Sequence, residues 1–235
     1  MDIDQIVSGV GADSNAGVRH FMHMVYGWMG LGLAVTGAAA GYMASDPRMI
    51  VNLMHNSLLF YGLMAAELGL VFFLSGWVQS MEASTAKFAF VFYAALTGVS
   101  TSVIFLIYTS QSIATTFFLT AGIFGAMSLY GWVTKTDLTT MGNFLMMALL
   151  GIILASVVNF WLHSPLIGWI TTYVGIVIFT GLTAYDTQKI KAIYQPLDDG
   201  SERETKEAIL GALALYLDFI NLFLELLKAT GRRRD

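Results

Sequence analysis

Seven separate stretches of this chain are each long and apolar enough to cross a bilayer, and that limits what it can fold into. They lie at roughly 21–44, 54–78, 87–108, 112–133, 142–162, 166–187 and 208–228. A helix needs about 20 apolar residues to span the hydrocarbon core. The runs are continuously apolar rather than alternating, which argues against a β-barrel. Only 12% of the 235 residues are charged and 56% are hydrophobic, where soluble domains carry about 25% charged residues. Such a chain cannot cover itself with polar groups. The expected fold is an all-α integral membrane protein, a seven-transmembrane-helix bundle. It forms one polytopic membrane domain over 21–235, preceded by a short polar tail (1–20) expected to be disordered. The 23 glycines against 3 prolines suit helices that approach closely within a membrane.

Composition also excludes whole classes of function. With no cysteine there are no disulfides and no thiolate metal sites. A net charge of −4 makes no case for nucleic acid. No Ser/His/Asp arrangement, phosphate loop or metalloprotease motif occurs, so neither an enzyme nor a cofactor is expected. No cleavable signal peptide is evident in 1–19. Lys and Arg set the orientation. With a cytoplasmic N-terminus, Arg19, Lys87, Lys135, Lys189, Lys191, Arg203 and Lys206 share the cytoplasmic side, and Arg48 alone lies in the opposite loops. The seventh segment leaves two options. A full span puts Lys228 and Arg232, Arg233 and Arg234 outside, against the rule; a segment that dips and returns keeps them inside.

The first segment carries Gly27, Gly30, Ala34, Gly37 and Gly41 on one helical face. Such a face reads as a packing stripe, continued to the membrane edge by His20 and His23 as interfacial residues. His55 and His163 sit at loop edges, and no spacing resembles a catalytic zinc site.

Four carboxyls fall at membrane depth: Glu67, Asp186, Asp218 and Glu225. Each costs a few kcal/mol to place there, and such groups usually face the bundle or water. In the seventh segment Glu207, Gly211, Ala214, Asp218, Asn221 and Glu225 recur at intervals of four and three. That makes one polar or small stripe, with Leu, Ile and Phe elsewhere. A lipid-facing helix has no need of it; a central helix lining a pathway does. In the sixth segment Thr172, Gly175, Phe179, Leu182 and Asp186 share a face, with Lys189 one turn on. Asp186 can therefore pair with Lys189 at i+3 or serve a site. Asp218 has no basic residue within nine positions, so its partner is another segment or a proton. Glu67 alone reads as a protonated carboxyl hydrogen-bonded to a neighbouring helix. Two carboxyls brought together cannot both ionise easily, so they share a proton and titrate as a unit. Asp186 and Asp218 can form such a pH-sensitive latch. Carboxylates and carbonyls are also the ligands Ca²⁺ prefers, so proton-controlled cation passage is coherent for this set.

The stretches "GLTAYDTQKIK" (181–191) and "LALYLDFINLFLELLK" (213–228) resemble the C-terminal signature of the transmembrane Bax-inhibitor-motif family, the Bax inhibitor-one-like proteins. "AELGLVFFLS" (66–75) is similar to that family's second-helix motif. The short tail and compact loops look like a bacterial member in the inner membrane. The resemblance implies a seven-helix fold with the last helix central, and a pH-dependent calcium leak. It implies that Asp186 and Asp218 form the pH-sensing carboxyl pair, and that Glu67 is the second-helix acid. One departure stands out. Some bacterial members carry an arginine at the cytoplasmic end of the second helix that can bind the carboxyl pair; here that place reads "SGWVQSME" (75–82).

The leading expectation is thus a Ca²⁺-permeable leak gated by protonation of Asp186 and Asp218. Glu67, Asn221 and Glu225 line the pathway, and the pair touches Ca²⁺ transiently. Expected partners are the lipid bilayer, calcium ions and protons. The alternative is a membrane adaptor that modulates another membrane protein, such as a membrane protease, in stress and transports nothing. It would use the N-terminal tail and the 195–206 loop. A third reading makes the carboxyls plain hydrogen-bonding glue.

Overall fold

A computed structural model describes the backbone of residues 3–194 and 201–234, and the side chains from residue 16 onward within those limits. The order is α1 (Ile3–Ser45), α2 (Pro47–His55), α3 (Ser57–Trp77), a 3-10 turn (Val78–Ser80), α4 (Ala83–Thr101), α5 (Ile104–Ile107), α6 (Ser110–Val133), α7 (Thr139–Leu162), α8 (Pro165–Ile193) and α9 (Glu202–Thr230). Seven segments are long and apolar enough to span a membrane, and they coincide with the seven expected. The protein is an all-α membrane bundle. Large apolar side chains such as Leu58 (83% exposed) and Phe118 (73%) point outward, as lipid contact requires.

Local chemistry sets the breaks. Asp46 caps α2 by accepting from Arg48 N at 3.0 Å, with Pro47 in its first turn. Asn56 accepts from Leu59 N at 3.1 Å and starts α3, so the second span begins a few residues later than expected. Asp137 accepts from Thr139 N at 2.9 Å before α7. The Thr139 side chain, and after it this backbone hydrogen bond, holds the Asp137 carboxyl below the usual carboxylate range.

Two expectations are corrected. Residues 3–19 are not a separate disordered tail: the backbone continues α1 from Ile3. No proline interrupts the run, and extending a helix costs far less than starting one. Ile3, Ile6, Val7 and Val10 were a legible helical signal. The glycine face of α1 is not an internal packing stripe. Gly27, Gly30, Ala34, Gly37 and Gly41 are all exposed, and a Cβ at any of the four glycines meets nothing within 4 Å. The packed face is instead Phe21, Val25, Met29, Gly32, Thr36 and Ala40. A row of small residues permits close approach without saying what approaches. The connection before α9 is shorter than the expected 188–207, since α8 ends at Ile193; residues 195–200, with the core of the loop expected to meet partners, lie outside the described residues.

The helices sort into two compact units. In the first (Met1–Ser102 with Ile190–Leu213) α1 lies against α4. Thr36 Oγ1 donates to Ala94 O at 2.8 Å, Trp28 meets Phe90 edge-on at 6.4 Å, and a Cβ at Gly98 would sit 2.7 Å from Ala39 Cβ. The first turns of α9 hold the α3–α4 connection: Glu202 Oε1 accepts from Ala83 N at 2.9 Å, and Lys206 Nζ donates to Met81 O at 2.9 Å and Gln79 O at 3.3 Å.

The second unit comprises Val103–Lys189 and Ala214–Asp235. Leu145 of α7, Ile178, Phe179 and Leu182 of α8, and Leu222 and Leu226 of α9 form its core. Phe219 of α9 packs on Phe117 and Phe124 of α6 at 5.4 and 5.5 Å. α9 is one unbroken helix, so its segment does not dip and return. Its apolar window is 61% buried, against 6–33% for the other spans, as expected of an enclosed helix.

These contacts separate glycines that matter from those that do not. A Cβ at Gly131 would fall on the Ala184 carbonyl, 3.0 Å from its carbon, so Gly131→Ala forces backbone apart and costs about 1–3 kcal/mol. Gly27→Ala enters open space and leaves stability unchanged. Thermal denaturation of the two variants in detergent checks this; equal midpoints would refute the packing described.

Candidate functional site

The site is built on α8 and α9 in the second unit. Asp218 lies in α9 among Leu215, Tyr216, Phe219 and Leu222, all buried, and is itself 5% exposed. Asp186 lies near the end of α8 on the inward face with Phe179 and Leu182, both buried. The two carboxyls lie close enough to interact electrostatically. Two carboxylates offer only acceptors, so a hydrogen bond between them would need a proton on one of them. Oδ2 of Asp218 is buried with no hydrogen-bond partner among the described residues. The option of an Asp186–Lys189 ion pair is not realised among the described residues; Lys189 Nζ lies over the Tyr185 ring, 5.7 Å from its centroid.

Asp186 is held in place by contacts that the sequence reading missed. Two residues on, Gln188 Oε1 accepts from Leu138 N at 2.8 Å, and its Nε2 donates to Thr136 O at 2.9 Å. Thr187, fully buried, donates to Thr183 O at 2.8 Å and reaches Ser128 Oγ at 3.3 Å. Gly131 of α6 abuts the Ala184 backbone, and a Cβ at Gly142 of α7 would fall within 2.5 Å of the Tyr185 ring. The available signals were a glycine near the end of α6, another near the start of α7, and a glutamine two residues after the aspartate.

The other candidates are placed less closely. Asn221 and Glu225 follow Asp218 on α9, Glu225 about 10 Å along the axis. Asn221 spends its amide on Leu217 O at 2.8 Å, within its own helix. Glu225 Oε1 accepts from Lys228 Nζ at 2.8 Å, while its buried Oε2 has no partner among the described residues. Gly175 of α8 makes room for it: a Cβ there would sit 3.1 Å from Glu225 Cγ. Upstream, the stripe changes character. Gly211 packs on Ile190 and Val25, and Glu207 pairs with Arg203 at 3.0 Å. Glu67 belongs to the first unit, near the Tyr93 and Ser100 side chains of α4, with Oε1 unpartnered among the described residues. A basic group does reach the end of α3 where "SGWVQSME" lacks one: Lys206, on the Gln79 and Met81 carbonyls.

Ca²⁺ takes 6–8 oxygen ligands. No cluster of three or more His, Asp or Glu able to hold a metal occurs among the described residues, and two carboxyls alone make a passing contact rather than a resident site. The pair can hold or release a proton, and with it the contact between two helices. Its geometry depends on the Gln188 brace. Gln188→Leu strips partners from Leu138 N and Thr136 O and costs about 1 kcal/mol. Amide exchange at Leu138 should accelerate; an unchanged rate would show that the brace is idle.

Comparison with known proteins agrees with this architecture. The sequence profile of the family described as "Inhibitor of apoptosis-promoting Bax1" matches residues 18–235. The inner membrane protein YbhL of Escherichia coli strain K12 is 50% identical over 220 residues, covering 93% of this chain and 94% of that protein. A Rickettsia prowazekii protein is 46% identical, covering 93% and 92%, and a Borreliella burgdorferi protein 43%, covering 92% and 93%. The chain belongs to the Bax inhibitor-one-like family and is a multi-pass protein of the bacterial inner membrane.

Proposed function

We propose that this protein is a leak pathway for Ca²⁺ across the inner membrane, with the Asp186–Asp218 pair as its proton-operated latch. The observation that carries the reading is the approach of the Asp186 carboxyl on α8 to the Asp218 carboxyl on α9, close enough for the two to interact. A shared proton joins the two helices there. Losing it leaves two like charges in contact, which drives α8 and α9 apart locally and presents carboxylate oxygens to a cation. Glu225 supplies a further carboxyl along the same helix, with one oxygen unused by protein among the described residues. Ca²⁺ is the cargo, held by no dedicated cage.

One observation favours the adaptor reading as a second possibility. The exposed small-residue face of α1 suits close packing against a helix of another membrane protein.

Flux into liposomes containing only the purified protein separates the two. Wild-type Ca²⁺ flux should exceed that of empty liposomes and vary with pH between about 6 and 8. The Asp186→Asn/Asp218→Asn variant should conduct at a rate that no longer responds to pH, because an amide pair can hydrogen-bond but cannot ionise. Flux no greater than in empty liposomes at every pH would overturn the leak reading and leave the adaptor.

A further inference from the structure

The end of the chain forms a site that the proton latch does not use. After α9 the backbone turns through Gly231 and runs back along residues 107–112. Thr109 N donates to Arg232 O at 3.1 Å, Arg234 N to Ile107 O at 2.9 Å, and Arg232 N to Ser112 Oγ at 2.9 Å. Tyr108 and Arg233 pair as an antiparallel bridge. Gly231 is required by this turn: a Cβ there would lie 2.7 Å from Cδ1 and 2.8 Å from Cε1 of the Tyr108 ring. Three consecutive arginines are thus held in a fixed register, where a merely basic tail would be left loose.

Arg232, Arg233 and Arg234 line a cleft of about 740 Å³ with Thr109, Gln111 and Ser112. That volume lies in the range of small-molecule sites. All three arginines are exposed, and none pairs with a carboxylate among the described residues. The same cleft holds the N-terminus of α6, a 24-residue helix. Thr109 Oγ1 caps Ser112 N at 3.3 Å; the positive end of the helix dipole and the first-turn N–H groups that Thr109 does not cap favour an anion. Guanidinium groups bind phosphate oxygens bidentately.

Location decides which anion. The cleft sits at the ends of two spanning segments, Ser110–Val133 and Glu202–Thr230, at the level where a bilayer carries its phosphates. Seven spans put this tail on the face opposite the N-terminus, so three arginines stand where the Lys/Arg distribution of the loops does not call for them. We propose that this cleft binds the phosphate headgroup of an anionic phospholipid.

The test uses the full chain in detergent, with bound lipid counted by native mass spectrometry as phosphatidylglycerol is titrated, and phosphatidylcholine as the control. Wild type should retain phosphatidylglycerol in preference to phosphatidylcholine. Replacing all three arginines by glutamine should weaken retention on the order of a hundred-fold. Gly231→Ala keeps every charge but disturbs the turn, and should also weaken retention by about ten-fold or more, with thermal denaturation confirming that both variants are folded. Retention by the arginine variant equal to wild type would overturn the proposal. So would unchanged retention by Gly231→Ala, which would reduce the site to a loose basic tail. Displacement of the lipid by inorganic phosphate at millimolar concentration would also overturn it, in favour of a free anion.

Discussion

The structure turns on one contact, between two acidic side chains inside an otherwise apolar pair of helices. Separated, the Asp186 and Asp218 carboxyls would each face the cost of an acid at membrane depth. On the proposed reading one proton joins them, so that they satisfy each other and couple the helices carrying them to pH. Their shared core of Phe179, Leu182, Leu222 and Leu226 is indifferent to protons.

The surroundings show how such a contact is kept in register. Glycines at 131 and 142 let α6 and α7 approach α8 at backbone and ring distance, so the segment holding Asp186 has little freedom to slide. Gln188 ties the next turn to the 136–138 connection, and Thr187 is anchored in the core. Aromatic contacts from Phe117 and Phe124 hold Phe219, the neighbour of Asp218. The proposed latch would thus be a soft element in a stiff frame, a small change in charge acting on helices that these contacts otherwise fix.

Much of this was legible in the sequence, for identifiable reasons. Length and apolarity locate spans because the bilayer imposes a thickness, and all seven were found. The helical repeat put Asp186 and Asp218 on inward faces, since a charge in lipid has nowhere else to go. What the repeat cannot supply is the partner of a face. Gly27, Gly30, Gly37 and Gly41 make a stripe as regular as that of Asp218, yet it points outward. Isolated glycines such as Gly131 carry no pattern at all, although they set the closest approaches. Gln188 acts on residues some fifty positions away in the chain, a relation that no local window contains. The polarity of residues 3–19 masks the helical spacing of Ile3, Ile6, Val7 and Val10.

On the proposed reading, Asp186 and Asp218 hold one proton between them. Infrared difference spectroscopy of the protein in lipid reads this directly, through the C=O stretch of a protonated carboxyl. The account predicts that subtracting the Asp186→Asn/Asp218→Asn spectrum from wild type leaves one such band, equal to one proton per protein, that comes and goes with pH as a single unit. No difference band at any pH, or two bands titrating independently, would contradict a shared proton and reduce the contact to ordinary packing.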